Sequence, residues 1–180
     1  MSPSNPRPVA RDAGSEKRRN LAAVRRALVA GDFSGKEELA AAVFDEMIDG
    51  LRQELEALAK TELKGKEMLA AIAKVILNHL DRNRDFPDFG VGRLPVFGAG
   101  AREKLTQKHL ENHASVLLLL VRSSSDEGRS FGASKFAAAA FLGLCRSAAE
   151  SRILSGIEGP FERDSERVVS FFLDGSGIVL

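Results

Sequence analysis

The chain has 180 residues, 44% hydrophobic and 28% charged, with a net charge of +1. Such a length suits one domain, and the balance is that of a globular protein rather than a disordered or membrane one. The near-neutral total gives no global field for nucleic acid or anionic lipid, and the single cysteine, Cys145, excludes an intramolecular disulfide or a Cys-rich zinc site.

Ala and Leu number 24 and 22, against 12 Val, 6 Ile and 2 Thr. Straight-chain residues and Ala lose little entropy in helices, whereas β-branched residues favour strands. No segment alternates apolar and polar long enough for a convincing strand, so the expected class is all-α. The apolar run Val116–Val121 is far shorter than the ~20 residues of a membrane helix. Met1 to Asn20 is polar and Pro-bearing with no apolar centre, so no signal peptide is expected. The expected setting is cytoplasmic, with no membrane partner.

Charge is uneven along the chain. Residues 1–36 hold eight basic groups against three acidic ones, a surplus of five, which leaves a deficit of four on the remainder. Residues 1–16, with Pro3, Pro6 and Pro8, read as a disordered basic arm. Such an arm is a solvated tail, or one that touches phosphates without specifying sequence. Glu16 to Ala30 reads as a short helix with Leu21, Val24, Ala27 and Leu28 on one stripe and Gly31 as its stop.

Ser34-Gly35-Lys36-Glu37 fits a capping box, in which Ser34 accepts from the Glu37 backbone N–H and Glu37 reaches back. Leu39, Val43, Phe44, Met47, Ile48, Leu51, Leu55 and Leu58 then recur at steps of three and four, predicting a long amphipathic helix. Its acidic residues, Asp45, Glu46, Asp49, Glu54 and Glu56, read as a solvated face. A second helix is expected over about Lys66–Arg82, with Leu69, Ile72, Ala73, Ile76 and Leu80 inward. Phe86 to Gly100 reads as a Gly- and Pro-rich loop, including the fragment Gly98-Ala99-Gly100. A third helix is expected from about Ala101 to Arg122, and Ser123 to Gly128 is a polar turn.

From Ser134 to Ala149 the only charges are Lys135 and Arg146, and Phe136 to Cys145 is apolar on every side. A helix with no wet face needs a second cover besides the core. The final helix, about Arg163–Leu173, repeats the pattern with Val168, Val169, Phe171, Phe172 and Leu173. Exposed apolar patches of this kind mark association surfaces. The arrangement expected is a two-fold dimer whose last two helices form a four-helix bundle, with Phe136, Ala140, Leu144, Ala148, Val168 and Phe172 at the contact. The alternative is a central helix fully buried in one subunit.

Three stretches carry a family resemblance. They are Phe33-Ser34-Gly35-Lys36-Glu37-Glu38-Leu39 with the following Ala41 to Met47, the small-and-apolar stretch Ala138 to Ser155, and Val168 to Gly175. In order and spacing they resemble the tetracycline-repressor-like (TetR) family of bacterial regulators over residues 33–180. The first is similar to the junction between the DNA-binding head and the connecting helix, and the other two to the dimerising helices. The resemblance implies a ligand-binding and dimerisation domain over 34–180, with 17–33 as a remnant of the head's first helix. Residues 17–33 are too few for a three-helix head, so an incomplete DNA-reading head is expected.

On the third helix Leu105, His109, Asn112, Val116 and Leu119 share a stripe, with His113 beside it, and polar groups on an inward stripe need partners, water or ligand. His79 is placed similarly on the second helix, in line with Ile72 and Ile76. The resemblance implies that these helices help to enclose a ligand cavity. The candidate lining is then Ile76, His79, Phe86, His109, Asn112, His113 and Val116, and the implied effector is small and apolar or amphipathic. Alternatively these are core-edge residues bonded to their neighbours. His109 and His113 stand four apart, but no third metal ligand is evident, and Leu110 occupies the place where H-E-x-x-H carries its base. Cys145 reads as a small buried hydrophobe. Without a nucleophile elbow or phosphate-binding pattern, neither an enzyme activity nor a cofactor is expected. The expected function is thus a ligand-sensing homodimeric regulator, contacting DNA weakly or through a full-length partner. Two alternatives are a heterodimerising antagonist of a full-length relative and an enzyme recruited onto the cavity.

Overall fold

A computed structural model of the chain describes residues 36–84, 98–124 and 134–176. Among these residues the fold is all-α, with five helices, one 3-10 turn and no strand. Helix α1 spans Lys36–Ala59, α2 Gly65–Arg82, α3 Ala99–Ser124, α4 Lys135–Leu154 and α5 Ser165–Ser176. The 3-10 turn, Phe161–Asp164, leads into α5. The basic arm, the helix expected over 16–30, Phe33 and Ser34 of the junction, and Phe86 lie outside the described residues. Several boundaries differ from expectation: Ser123 and Ser124 end α3 rather than opening the turn, and the last helix starts at Ser165, after the 3-10 turn, and runs on to Ser176. Ala99 and Gly100 belong to α3 rather than to a loop, and α4 runs past Ala149 to Leu154. No described helix is long and apolar enough to cross a membrane.

Helix α2 is the hub, packed against α1, α3, α4, the 3-10 turn and α5. Its Met68, Leu69, Ile72, Ala73, Ile76 and Leu77 are all buried, which follows from apolar residues at helical spacing on more than one face. Leu55 and Leu58 of α1, Val116, Leu119 and Leu120 of α3, and Phe141, Cys145 and Ala149 of α4 close around it. From α5, Val168, Val169 and Phe172 complete the core. The Phe141 and Phe172 rings meet edge to face at 5.0 Å, an arrangement the ring quadrupoles favour. Val168 and Phe172, expected at a subunit contact, are therefore already buried within one subunit. Cys145 is buried, and desolvation pushes its thiol up to about 12, as for a small core hydrophobe.

The acidic residues of α1 are not simply a solvated face. Lys108 of α3 reaches both Asp45, at 2.6 Å, and Asp49, at 2.7 Å, and Lys104 adds a contact of 2.8 Å to Asp45. Glu54 pairs with Arg82 of α2. Burial alone would raise the Asp45 carboxyl, but hydrogen bonds from Lys104 and Lys108 outweigh it and hold the group below its ordinary value. Only Glu46 and Glu56 remain as the exposed acids of that set. At the other end of α3, Arg122 donates to the carbonyls of Ala59 and Thr61, satisfying orphan acceptors where α1 ends.

The turn from α4 to α5 depends on two glycines and one arginine. Gly156, at φ 62°, closes α4 in a Schellman arrangement: its N–H donates to the Ile153 carbonyl and that of Ile157 to the Arg152 carbonyl. Gly159 sits at φ 99°, which strains any L side chain, and a Cβ there would also crowd Arg163 Nη1 at 3.1 Å. Arg152 is the centre of this corner. Its side chain is 8% exposed, bonds Asp164 at 2.9 Å and donates to the Glu158 carbonyl at 2.8 Å. An exchange of Arg152 for Met would leave these acceptors unpaired in a dry site. Arg152→Met should therefore cost about 3 kcal/mol in urea unfolding, while Lys104→Met, at a side chain 62% exposed, should cost less than about 1 kcal/mol. Equal costs would contradict this ranking.

Candidate functional site

Helices α1 to α4 do not seal completely where the main core meets the smaller cluster around Leu105, Phe44 and Ile48. A cavity of about 90 Å³, partly open to solvent, lies between them. Its apolar wall is Phe44, Met47, Ile48 and Leu51 of α1, Ile76 and Leu80 of α2, Leu105 of α3 and Leu142 of α4. Its polar lining is His79, His109, Asn112, His113 and Arg146. Of the residues expected to line a cavity, Ile76, His79, His109, Asn112 and His113 are brought together here. Val116 is buried in the main core instead, and Phe86 lies outside the described residues.

The three imidazoles are neutral for stated reasons. His79 is pushed down to about 3 by desolvation, with the Arg82 charge adding to it. Asn83 caps the end of its helix by donating Nδ2 to the His79 carbonyl at 2.8 Å, with His79 Nε2 at 3.5 Å. Desolvation also takes His109 down to about 4, helped by His113 and Arg146. His113 is lowered by burial and then by Arg146. The two Nε2 atoms of His109 and His113 face each other at 3.1 Å, so one donates its N–H to the bare nitrogen of the other. Protonating both would set two N–H groups head to head beside a guanidinium. The pair therefore offers neutral hydrogen-bonding edges, not charge.

Asn112 fixes α3 on α1, because its Nδ2 donates to the Ile48 carbonyl at 3.0 Å. That bond also settles which way the amide points, since a flip would set oxygen against oxygen. Its Oδ1 is buried and has no hydrogen-bond partner. It shares that state with Asp45 Oδ1, Arg52 Nε and Arg152 Nε, and of these four residues only Asn112 lines the cavity. Among the described residues no group of three or more His, Cys, Asp or Glu side chains could hold a metal ion.

The α1 wall and the α4 contribution were not foreseen as lining. The apolar positions of α1 read from the sequence as core, but Phe44, Met47, Ile48 and Leu51 line the cavity while Leu55 and Leu58 enter the main core. Arg146 carried a usable signal, being one of only two charges between Ser134 and Ala149.

A second concavity, an open groove of about 540 Å³, lies on the outer side of α4 and α5. Ser134, Phe136, Ala137, Ala140, Gly143, Leu144 and Ser147 line it from α4 and its cap, and Phe171, Phe172 and Gly175 from α5. Phe136 is 82% exposed and Phe171 66% exposed. Of the residues expected at a subunit contact, Phe136, Ala140, Leu144 and Phe172 are in this groove. Ala148 is half-buried on α4 and is not in its lining.

Compared with known proteins, the chain matches no family model, no curated protein and no solved structure.

Neutral buried imidazoles couple stability to pH. The folded values of His79 and His109 lie below the ordinary 6.5, so the unfolded chain binds more protons in that range. Their contribution is complete above that ordinary value and is lost as pH falls toward the depressed ones. The unfolding free energy should drop between about pH 6 and pH 5, and His79→Gln should flatten that slope relative to the wild type. Parallel slopes in urea titrations would contradict the assignment of a neutral, buried His79.

Proposed function

We infer that the chain is a ligand-sensing, homodimeric regulator of the TetR-like kind. The observation that carries this reading is the double role of α4. One side of it contributes Leu142 and Arg146 to the cavity, while another contributes Ala140, Gly143, Leu144 and Ser147 to the groove. A ligand seated against the first face acts on a helix whose second face awaits a partner. Sensing needs such an element, with two arrangements that the ligand binds unequally.

The groove supports self-association. Two phenylalanines standing mostly in water beside a floor of Ala and Gly form an apolar surface that a second copy would cover. The small residues allow close backbone approach, and α4 and α5 of two subunits, related by a two-fold axis, would make a four-helix bundle. The cavity supports a small effector, because apolar walls with a few convergent polar groups are the usual form of a binding site.

Sedimentation equilibrium tests the pairing. The wild type should have twice the 19.4 kDa chain mass, and a variant carrying both Phe136→Glu and Phe171→Glu should have that mass once, with unchanged helical circular dichroism. Both side chains are exposed in one subunit, so the substitutions leave its core intact. A monomeric wild type at micromolar concentration, or a double variant that still pairs, would contradict the reading.

A further inference from the structure

Arg146 is the one charged residue lining the cavity, and no carboxylate lines it among the described residues. Half-buried on α4, it makes no hydrogen bond or ion pair within the described part of the fold. Arg52, Arg82, Arg84, Arg152 and Arg167 have acidic partners, and Arg146 differs from the other arginines in lining an apolar cavity. A guanidinium kept partly out of water and without an anion is a vacant fork for a carboxylate, which it can bind through two parallel N–H bonds. Nearby, Asn112 Oδ1 is buried and lacks a donor. An acceptor of that kind is satisfied by a hydroxyl, which a carboxylate alone does not supply. Between and around these two groups the walls are aliphatic or aromatic. The enclosed space is about 90 Å³ and partly open to solvent, so it takes part of a single short alkyl chain, with the rest of the molecule reaching the opening.

Resting on the reading of this cavity as an effector site, we propose that it binds a short-chain hydroxy monocarboxylate. The carboxylate lies on Arg146, the hydroxyl donates to Asn112 Oδ1, and the alkyl tail packs against the walls of α1 and α2. His109 and His113, both neutral, lend hydrogen-bonding edges without a counter-charge of their own. Their downward shifts fit a site that lacks an anion until a ligand brings one.

Thermal shift and calorimetric titration of the full chain test this with three probes of one length: 3-hydroxyhexanoate, hexanoate and hexanamide. The hydroxy acid should bind most tightly, hexanoate more weakly, and the amide at least about tenfold more weakly than hexanoate, as befits loss of a charge-assisted bond. Arg146→Met should abolish the preference for acid over amide while leaving the unliganded melting temperature near that of the wild type, since Arg146 makes no hydrogen bond or ion pair among the described residues. Arg146→Lys should retain part of the preference. An amide that binds as well as the acids, an acid preference that survives Arg146→Met, or hexanoate binding tighter than its hydroxy form would overturn the proposal. A neutral arm with 1-hexanol separates the two levels of inference. Saturable stabilisation by 1-hexanol or the amide alone sinks the carboxylate assignment and keeps the effector cavity. Silence from all four compounds at millimolar concentration sinks both.

Discussion

Helix α4 has more apolar surface than one subunit has interior to offer it. Ala138, Phe141, Cys145 and Ala149 go into the core against α2, yet Phe136 remains in water and Gly143 and Ser147 are exposed along the same flank. The consequence runs through the rest of the molecule. A helix pinned on one side by close packing and left uncovered on another has a position that a partner or a ligand can bias. Close-packed interiors respond to such a bias by shifting as units rather than deforming gradually. Beneath it, α2 supplies the fixed frame, because it touches every other described element and offers no face to solvent that is not polar or half-buried.

The polar groups fall into two sets with opposite logic. Asp45, Asp49, Lys104 and Lys108 hold α1 beside α3, Arg122 closes the end of α1, and Arg152 builds the corner into α5. In that set each charge meets an opposite charge or a carbonyl within the fold, although Asp45 Oδ1 and Arg152 Nε are themselves left without a hydrogen bond. In the cavity the reverse holds. The imidazoles have their charge suppressed by burial, Asn112 Oδ1 lacks a donor, and no carboxylate lines the cavity beside Arg146 among the described residues. The cavity differs in that its one guanidinium has no carboxylate beside it among the described residues. That contrast, more than the volume of the hollow, is what singles out this seam between the helices.

Much of the architecture was legible in the amino-acid order. The spacing of Leu69, Ile72, Ala73 and Ile76 declared α2, and the inward stripe of Leu105, Asn112, Val116 and Leu119 declared α3. The same stripe placed His109 and His113 at a shared wall. Boundaries were less legible, because Gly98-Ala99-Gly100 has loop composition although α3 already starts at Ala99. The two misjudged features share a cause. Asp45 and Asp49 were read as solvated, and Val168 as a contact with another copy, because periodicity shows which face a residue shares but not what stands opposite. Lys108 opposite Asp45, or Phe141 opposite Phe172, is a matter of tertiary pairing that a single helix does not encode. Arg152 was hidden for the same reason. Its role arises from a corner made by Gly156 and Gly159, whose positive φ values direct the carbonyl of Glu158 toward it.

If α4 joins cavity and groove, occupancy of one must alter the free energy of filling the other, and the effect must be reciprocal. The most direct measurement is the dimer dissociation constant by sedimentation equilibrium, with and without saturating 3-hydroxyhexanoate. The account predicts that the constant changes, in either direction, by at least about fivefold, and that Arg146→Met removes the change. An identical constant in the presence of bound ligand would contradict the claim that α4 carries a signal between the two faces.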